Sequence, residues 1–243
     1  MKQAIKPNQN NPEAKKTQVT QMFNGISKSY DLLNRIITLG IDTLWRKRLV
    51  QLVEKHPHEV VLDIATGTGD LVLALAKLKT KKIIGLDLSP GMLDIGKQKV
   101  KAKGLQDRIE MQLGDSESLP FNSDTFDAVT VAFGVRNFEN LEKGLHEILR
   151  VLKPQGTLVI LETAVPKNRF LKAVYLYYTQ NIMPFIGKIL AKDRTAYHYL
   201  SSSAAAFPCG KEFNNILQKI GFIEVEDYSQ TLGVSSIYFA KKS

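Results

Sequence analysis

The chain reads as an α/β domain built on a doubly wound, mostly parallel seven-stranded sheet, and three observations predict it. The run Glu59-Val60-Val61-Leu62-Asp63-Ile64 is short, apolar and rich in β-branched residues. It breaks into Ala65-Thr66-Gly67-Thr68-Gly69-Asp70 and passes directly into the helical stretch Leu71 to Ala76. A second unit repeats the order, with Lys82-Ile83-Ile84-Gly85-Leu86-Asp87 as strand and a helix opened by Ser89-Pro90 and running to about Ala102. Further strands of five to seven residues then alternate with helices, the signature of a parallel sheet.

The remaining elements follow in order. Residues 1–16 are polar, with Pro7, Pro12 and several Asn and Lys, and predict a disordered N-terminal arm before a single domain over 17–243. From Val19, apolar residues fall at three- and four-residue spacings through Tyr30. A second helix over Thr43–Glu54 carries Trp45, so 17–56 predicts a helical cap, or plain core helices. Arg108–Leu113 is the third strand and Phe126–Val131 the fourth, apolar enough to be central. A helix from Glu139 to Leu152 is expected to end at the turn Lys153-Pro154-Gln155-Gly156, and Thr157–Leu161 is the fifth strand.

Residues 165–208 interrupt the alternation with a helical, aromatic insertion. It holds Phe170-Leu171, Val174-Tyr175, Tyr177-Tyr178, Ile182-Met183, Pro184-Phe185-Ile186, Ile189-Leu190 and Tyr197-His198-Tyr199-Leu200. It serves either as a helical layer over the sheet or as a substrate lid with a ring-stacking interior. A helix over Lys211–Ile220 and two strands, Gly221–Val225 and Val234–Ala240, close the chain as a hairpin-like pair.

Composition narrows the function. Of 243 residues, 44% are hydrophobic and 23% charged, ordinary for a globular domain long enough to bury a core. The single Cys209 excludes an internal disulfide and most cysteine metal sites, and fits a reducing cytoplasm; His56, His58, His146 and His198 show no metal-ligand spacing, so no metal is expected. No signal peptide and no membrane-spanning apolar run is present. The net charge of +9 is spread along the chain, densest over Lys97–Lys103, which is a solvated helix face or an attraction for anionic lipid or nucleic acid.

The glycine turn carries the chemistry. Gly67-x-Gly69 lets the backbone turn tightly and approach a ligand, but Leu71-Val72 follow where a dinucleotide fingerprint needs a third glycine. Asp63 stands four residues before Gly67, and Asp87 stands 18 after Gly69, near the spacing of an acid that accepts from ribose hydroxyls. Asp-x-x-x-Gly-x-Gly resembles the first motif of S-adenosylmethionine (SAM) methyltransferases, whose cationic ligand favours carboxylates over a phosphate cradle.

Taken together, Tyr30-Asp31-Leu32-Leu33-Asn34, Asp63 to Asp70, Phe133-Gly134-Val135-Arg136-Asn137 and Arg150-Val151-Leu152-Lys153-Pro154 closely resemble the demethylmenaquinone and ubiquinone-pathway C-methyltransferases. The resemblance covers nearly the whole chain after the arm. It implies a Rossmann-like SAM methyltransferase fold, and a cofactor site of Asp63, Gly67, Thr68, Gly69, Asp87, Asp115, Ser116 and Ala132. Two positions depart from the family: Ala132 stands where Ser or Asn is usual, and Pro154-Gln155-Gly156 replaces Pro-Gly-Gly.

The implied reaction moves a methyl group from SAM to a ring carbon of a prenylated hydroquinol, because the oxidised quinone is too electron-poor to attack. Demethylmenaquinol is the expected acceptor; a ubiquinone-pathway benzoquinol or another small aromatic is the alternative. Arg136 and Asn137 are expected to stabilise the developing phenolate, with a salt bridge from Arg136 to Glu139 or Glu142 as the structural alternative. Tyr178, His198, Asp31 or water is the candidate proton acceptor. The expected setting is cytoplasmic, with peripheral contact at the inner face of a membrane and a homodimer as an option. A non-catalytic SAM-binding or RNA-associated protein is the reading from another class. Nucleic acid is not the expected partner, since no Asn-Pro-Pro-Tyr/Phe motif follows the fourth strand.

Overall fold

Alternating apolar residues at the centre of the chain build one sheet with a core on each face. In this computed structural model, which describes residues 5–183 and 194–243, the first parallel strands are β1 (Val60–Ile64), β2 (Lys82–Asp87) and β3 (Ile109–Leu113). β4 (Phe126–Ala132) and β5 (Leu152–Thr163) follow, and β6 (Ile223–Gln230) and β7 (Ser235–Lys241) complete the sheet. Its order is β3-β2-β1-β4-β5-β7-β6, with β7 antiparallel to both neighbours. The topological switch lies between β1 and β4, where Leu62 is flanked by Ile84 and Val129. Ligands of such sheets bind outside the strand carboxyl ends at this point.

The period-two alternation of the strands sends neighbours to opposite faces. Val61, Ala128, Val159 and Leu161 pack against α2 (Ile41–Glu54), α3 (Asp70–Leu75) and α4 (Pro90–Ala102). Leu62, Ile64, Val129, Val131 and Ile160 pack against α5 (Leu141–Val151) and a late helix, Lys211–Ile220. α4 starts as the sequence predicts: the Ser89 hydroxyl accepts from the Met92 amide, with Pro90 at the first position.

One boundary differs from the expectation. α5 gives way directly to β5 at Leu152, so Lys153–Gly156 is irregular strand and not a turn between elements. The irregularity is real: pairing with β4 shifts register between Phe126 and Ala128, and Gln155 takes a positive φ of 62°. Lys153–Gly156 have no partner in the β4 register, which passes from Phe126–Leu152 to Ala128–Thr157, so the Pro-Gln-Gly signal is expressed as a bulge inside β5.

A third layer covers the strand carboxyl ends. α1 (Lys15–Thr38) crosses them and turns into α2 through Leu39 and Gly40, both left-handed. The insertion contains α6 (Arg169–Tyr177), which continues into a π-type turn at Tyr178–Ile182, and α7 (Arg194–Ala206); the Lys211–Ile220 helix is α8. Val19, Ile26 and Leu33 of α1 form one buried cluster with Met92 and with Ala196, Tyr199 and Leu200 of α7, so cap and insertion are a single layer. Pro184, Phe185, Ile186, Ile189 and Leu190, and the side chain of Tyr197, lie outside the described residues.

The part of the N-terminal arm that is described differs from the disorder expected of it. Ile5 packs on the α1 cluster, the Asn8 amide donates to Gln18 Oε1 at 2.9 Å, and Gln18 Nε2 donates to the carbonyls of Asn11 and Glu13. These bonds satisfy polar groups that composition alone assigns to water. The basic run on α4 is largely exposed, except that Lys99 pairs with Asp31 at 2.5 Å and Asp70 at 2.7 Å.

Candidate active site

The turn after β1 is shaped by backbone angles that only some residues accept. Gly67 and Gly69 have φ of 57° and 81°, which glycine takes at little cost. They differ in role. A Cβ on Gly69 would meet Val72 at 3.3 Å and Met111 at 3.4 Å, so that glycine permits close packing, whereas open space surrounds Gly67.

Asp87, at the end of β2, holds the turn in place. Its Oδ2 accepts from the Gly67 amide and its Oδ1 from the Ser89 amide, each at 2.8 Å. Each oxygen keeps a lone pair for a ligand hydroxyl. Burial pushes its carboxyl above the ordinary range, and the backbone donors of Ser89, Gly67 and Leu88 oppose that rise. Asp63 lies deeper, accepting from Thr130 Oγ1 at 2.7 Å, and burial pushes it up to about 7.

Two cavities meet over these strand ends. The first, about 80 Å³, is walled by Gly67, Asp87, Ser116, Ala132 and Asn137 from the sheet side, and by Lys16, Phe23 and Tyr30 from α1. Lys16 pins the helix there, reaching Asp115 at 2.6 Å and Glu117 at 3.4 Å. Ligand pockets commonly run from roughly 300 to 1,000 Å³, so this cavity is smaller than a nucleoside-sized ligand needs.

Other expected cofactor residues stand outside that wall. Asp63 and Gly69 do not line it, Thr68 Oγ1 donates to Asp31 at 2.5 Å, and Asp115 is engaged by Lys16. Sequence reasoning missed Lys16 and Phe23, whose approach depends on how α1 crosses the sheet. Tyr30 belongs to the Tyr-Asp-Leu-Leu-Asn segment, which was the one available signal.

The second cavity, about 410 Å³, is mainly apolar and opens between α1, α2, α6 and the Thr231–Val234 turn. Tyr30 and Phe133 line both cavities and form the partition between them. Phe133 has φ of 58° and Ala65 of 53°, left-handed values costly for non-glycine residues, and they cluster at this junction. Gly134 is required there because a Cβ would stand 2.4 Å from Ala65 Cβ.

Arg136 and Asn137, adjacent in sequence, face different cavities. Asn137 lines the first, where its Oδ1 accepts from the Tyr199 hydroxyl at 3.1 Å. Arg136 lines the second and donates from Nη1 to Glu162 Oε1, which also accepts from the Thr163 amide at 2.8 Å. Its ion-pair partner is therefore Glu162 and neither Glu139 nor Glu142. Glu139 is turned to the Lys15 amide at 3.1 Å, while β5 places Glu162 beside the end of β4. Burial disfavours the Arg136 charge, but the Glu162 carboxylate and, to a smaller extent, the nearby phenols of Tyr30 and Tyr199 oppose this, and together they hold the group above its ordinary value. Arg136 Nε and Glu162 Oε2 are buried without a hydrogen-bond partner.

The proposed proton acceptors are scattered. Tyr178 lines the second cavity but donates to the Ile37 carbonyl at 2.7 Å, His198 is exposed, and Asp31 is held by Thr68 and Lys99. Among the described residues no group of three or more His, Cys, Asp or Glu side chains is placed to hold a metal ion. No helix among them is long and apolar enough to cross a membrane.

A glycine turn braced by a carboxylate, beside a mainly apolar cavity with aromatic walls, suits transfer of a small group between a nucleoside-bearing donor and an apolar acceptor. Residues 11–242 match the model of the ubiE/COQ5 methyltransferase family. A Bacteroides fragilis protein named demethylmenaquinone methyltransferase is 42% identical over 239 residues, covering 98% of this chain and 97% of that one. A Geobacter sulfurreducens protein named ubiquinone/menaquinone biosynthesis C-methyltransferase UbiE is 39% identical over 226 residues, covering 92% and 88%. Among solved structures, a Thermotoga maritima SAM-dependent methyltransferase described as a possible histamine N-methyltransferase superposes with a TM-score of 0.64 at 19% identity, covering 92% and 99%. At that identity the likeness concerns the fold.

Proposed function

From the chain's membership of the ubiE/COQ5 methyltransferase family, we propose that it is a SAM-dependent C-methyltransferase that converts demethylmenaquinol to menaquinol. The observation that carries the reading is the meeting of the two cavities across Tyr30 and Phe133. One has the glycine turn and acid expected of a SAM site, and the other has the size and apolar lining for a ring with a prenyl tail. The two relatives above, with their printed names, support the same acceptor.

The residues of the first cavity fit SAM. Asp87 has free lone pairs for a ribose diol, the backbone at Gly67 is open to close approach, and Ser116 and Ala132 are on the wall. When bound, SAM supplies an electrophilic methyl group on a sulfonium. The protein holds the acceptor ring in line with it, which is worth several kcal/mol. Transfer forms a carbon–carbon bond at the ring, breaks the carbon–sulfur bond, and releases one proton from the ring carbon.

Arg136 supplies a fixed positive charge to the oxygen beside the reacting carbon as that oxygen gains phenolate character, in a site the cap and insertion shield from water. Asn137, on the donor side, orients through its contact with Tyr199.

The tail leaves past Leu39 and Leu232, which line the cavity and are 80% and 75% exposed. Phe170, Val174 and Tyr177 of α6 are also exposed, with Arg169 and Lys172 among them. This apolar, basic rim suits peripheral contact with an anionic bilayer that holds the acceptor. Sedimentation with vesicles should show binding that needs anionic lipid; equal binding to neutral vesicles, or none to either, counts against the contact.

The defining experiment is methyl transfer from labelled SAM to chemically reduced demethylmenaquinol under anaerobic conditions, with the oxidised quinone as control. Label in the reduced acceptor alone supports the reading. Intact SAM binding with no transfer to the quinol overturns it.

A further inference from the structure

The second cavity is lined by a second cation, which is partly buried. Arg46 of α2 lines the same wall set as Arg136, and its side chain is 12% exposed. It is held by Asp42 one helical turn earlier, itself 3% exposed and bonded by Thr38 Oγ1 at 2.8 Å. Its guanidinium carbon lies 5.6 Å from the centre of the Phe133 ring, the partition between donor and acceptor cavities. Among the described residues Asp42 is its one side-chain hydrogen-bond partner, leaving further N–H donors of the fork for a ligand.

The two cations act on the same place. The fields of Arg136 and Arg46 both reach the buried Tyr30 phenol, where they oppose the rise that burial imposes. Holding two guanidiniums at a mainly apolar cavity carries a desolvation cost, heaviest for the more deeply buried Arg136, and among the described residues each has one carboxylate partner. A 1,4-hydroquinol presents two oxygens on opposite sides of one ring, the matching acceptor set.

We propose that Arg46 is a second substrate-binding cation: Arg136 takes the ring oxygen beside the reacting carbon, and Arg46 takes the oxygen para to it, with Asp42 as its positioning residue. This rests on the hydroquinol reading above. It makes the cap helix α2 part of acceptor selection, so that acceptors with both oxygens are preferred over rings with one.

Paired substrates test it. One is a short-tailed demethylmenaquinol; the other is the monohydroxy naphthol with the same tail, which keeps the hydroxyl beside the reacting carbon and lacks the far one. kcat/KM is measured for both with the native protein, Arg46→Gln and Arg46→Lys, alongside SAM affinity by calorimetry as the check on folding. The native protein should prefer the dihydroxy ring by at least about tenfold beyond the ratio kept by Arg46→Gln, since a site built for a hydroxyl rejects its absence. Arg46→Lys, which keeps the charge, should retain part of that preference. Taking the ratio of ratios removes the difference in intrinsic ring reactivity.

If Arg46→Gln slows both substrates equally and the preference survives, Arg46 is structural and the proposal is overturned. An absence of preference in the native protein overturns it as well. Failure of the native protein to methylate either ring is a different outcome, and it overturns the hydroquinol reading on which the proposal stands.

Discussion

Arg136 and Glu162 form an ion pair between the turn after β4 and the end of β5, and both side chains are more than nine-tenths buried. Removing one member of such a pair strands the other charge, at a cost of about 3–5 kcal/mol. Glu162→Gln should therefore lower the unfolding free energy by about that amount in urea titrations. A loss below about 1 kcal/mol would mean the pair behaves as a solvated one. Replacing both residues, Arg136→Met with Glu162→Leu, should recover most of the stability and none of the activity.

Arg136 lies outside the wall of the first cavity, so its role is separable from donor binding. Arg136→Lys keeps a charge but loses the fork. Turnover should fall roughly 10²–10³-fold, the scale of a lost oxyanion donor, while SAM affinity measured by calorimetry stays within about twofold of the native value. Undiminished turnover would remove Arg136 from the chemistry.

Asp87 joins the glycine turn to the start of α4 through two amide donors. Asp87→Asn sets an amide N–H against one of those backbone N–H groups and removes a charged acceptor. The loss is about 1.5–3 kcal/mol, so SAM should bind about 10- to 150-fold more weakly. Unchanged affinity would place the ribose elsewhere.

Asp63 gives a pH test. Its folded carboxyl titrates at about 7 because it is buried, against about 3.9 in an unfolded chain. Between those values the native state holds more protons than the unfolded one. Stability therefore falls as pH rises through the window, by up to about 4 kcal/mol from this group. Asp63→Asn lacks that slope. Its urea midpoint relative to the native protein should improve from pH 4.5 to pH 8; a constant difference would show that Asp63 stays ionised in the fold. Asp87 is shifted in the same direction and is present in both proteins, so the comparison removes its own contribution and keeps only that of Asp63 and its coupling to Asp87.

Much of this molecule is written locally. Strand, glycine turn and helix at Val60–Leu75, the Ser89-Pro90 start of α4, and the Lys211–Ile220 helix all stand where periodicity, capping and Cβ sterics put them. Gly67 and Asp87 were legible too, since a tight turn and an acid at a strand end have meanings fixed by a few neighbouring residues. The Lys153–Gly156 turn signal appears as a bulge held within β5, unpaired with β4, because the strand already begins at Leu152.

The sequence by itself determined the α/β order, the two acids and two glycines at the strand ends, and the presence of Arg136 and Asn137 beside them. Only the tertiary structure decided which charge meets which. It brought Glu162 to Arg136 rather than Glu139, Asp31 to Thr68, Lys16 to Asp115, and Arg46 to the cavity of Arg136. Backbone conformation depends on side-chain period and sterics within a few residues, whereas a charged partner depends on which distant chain ends converge where the parallel strands stop. That convergence also placed Tyr30, from a helix at the start of the chain, and Phe133, from the end of a central strand, on the same wall between two cavities.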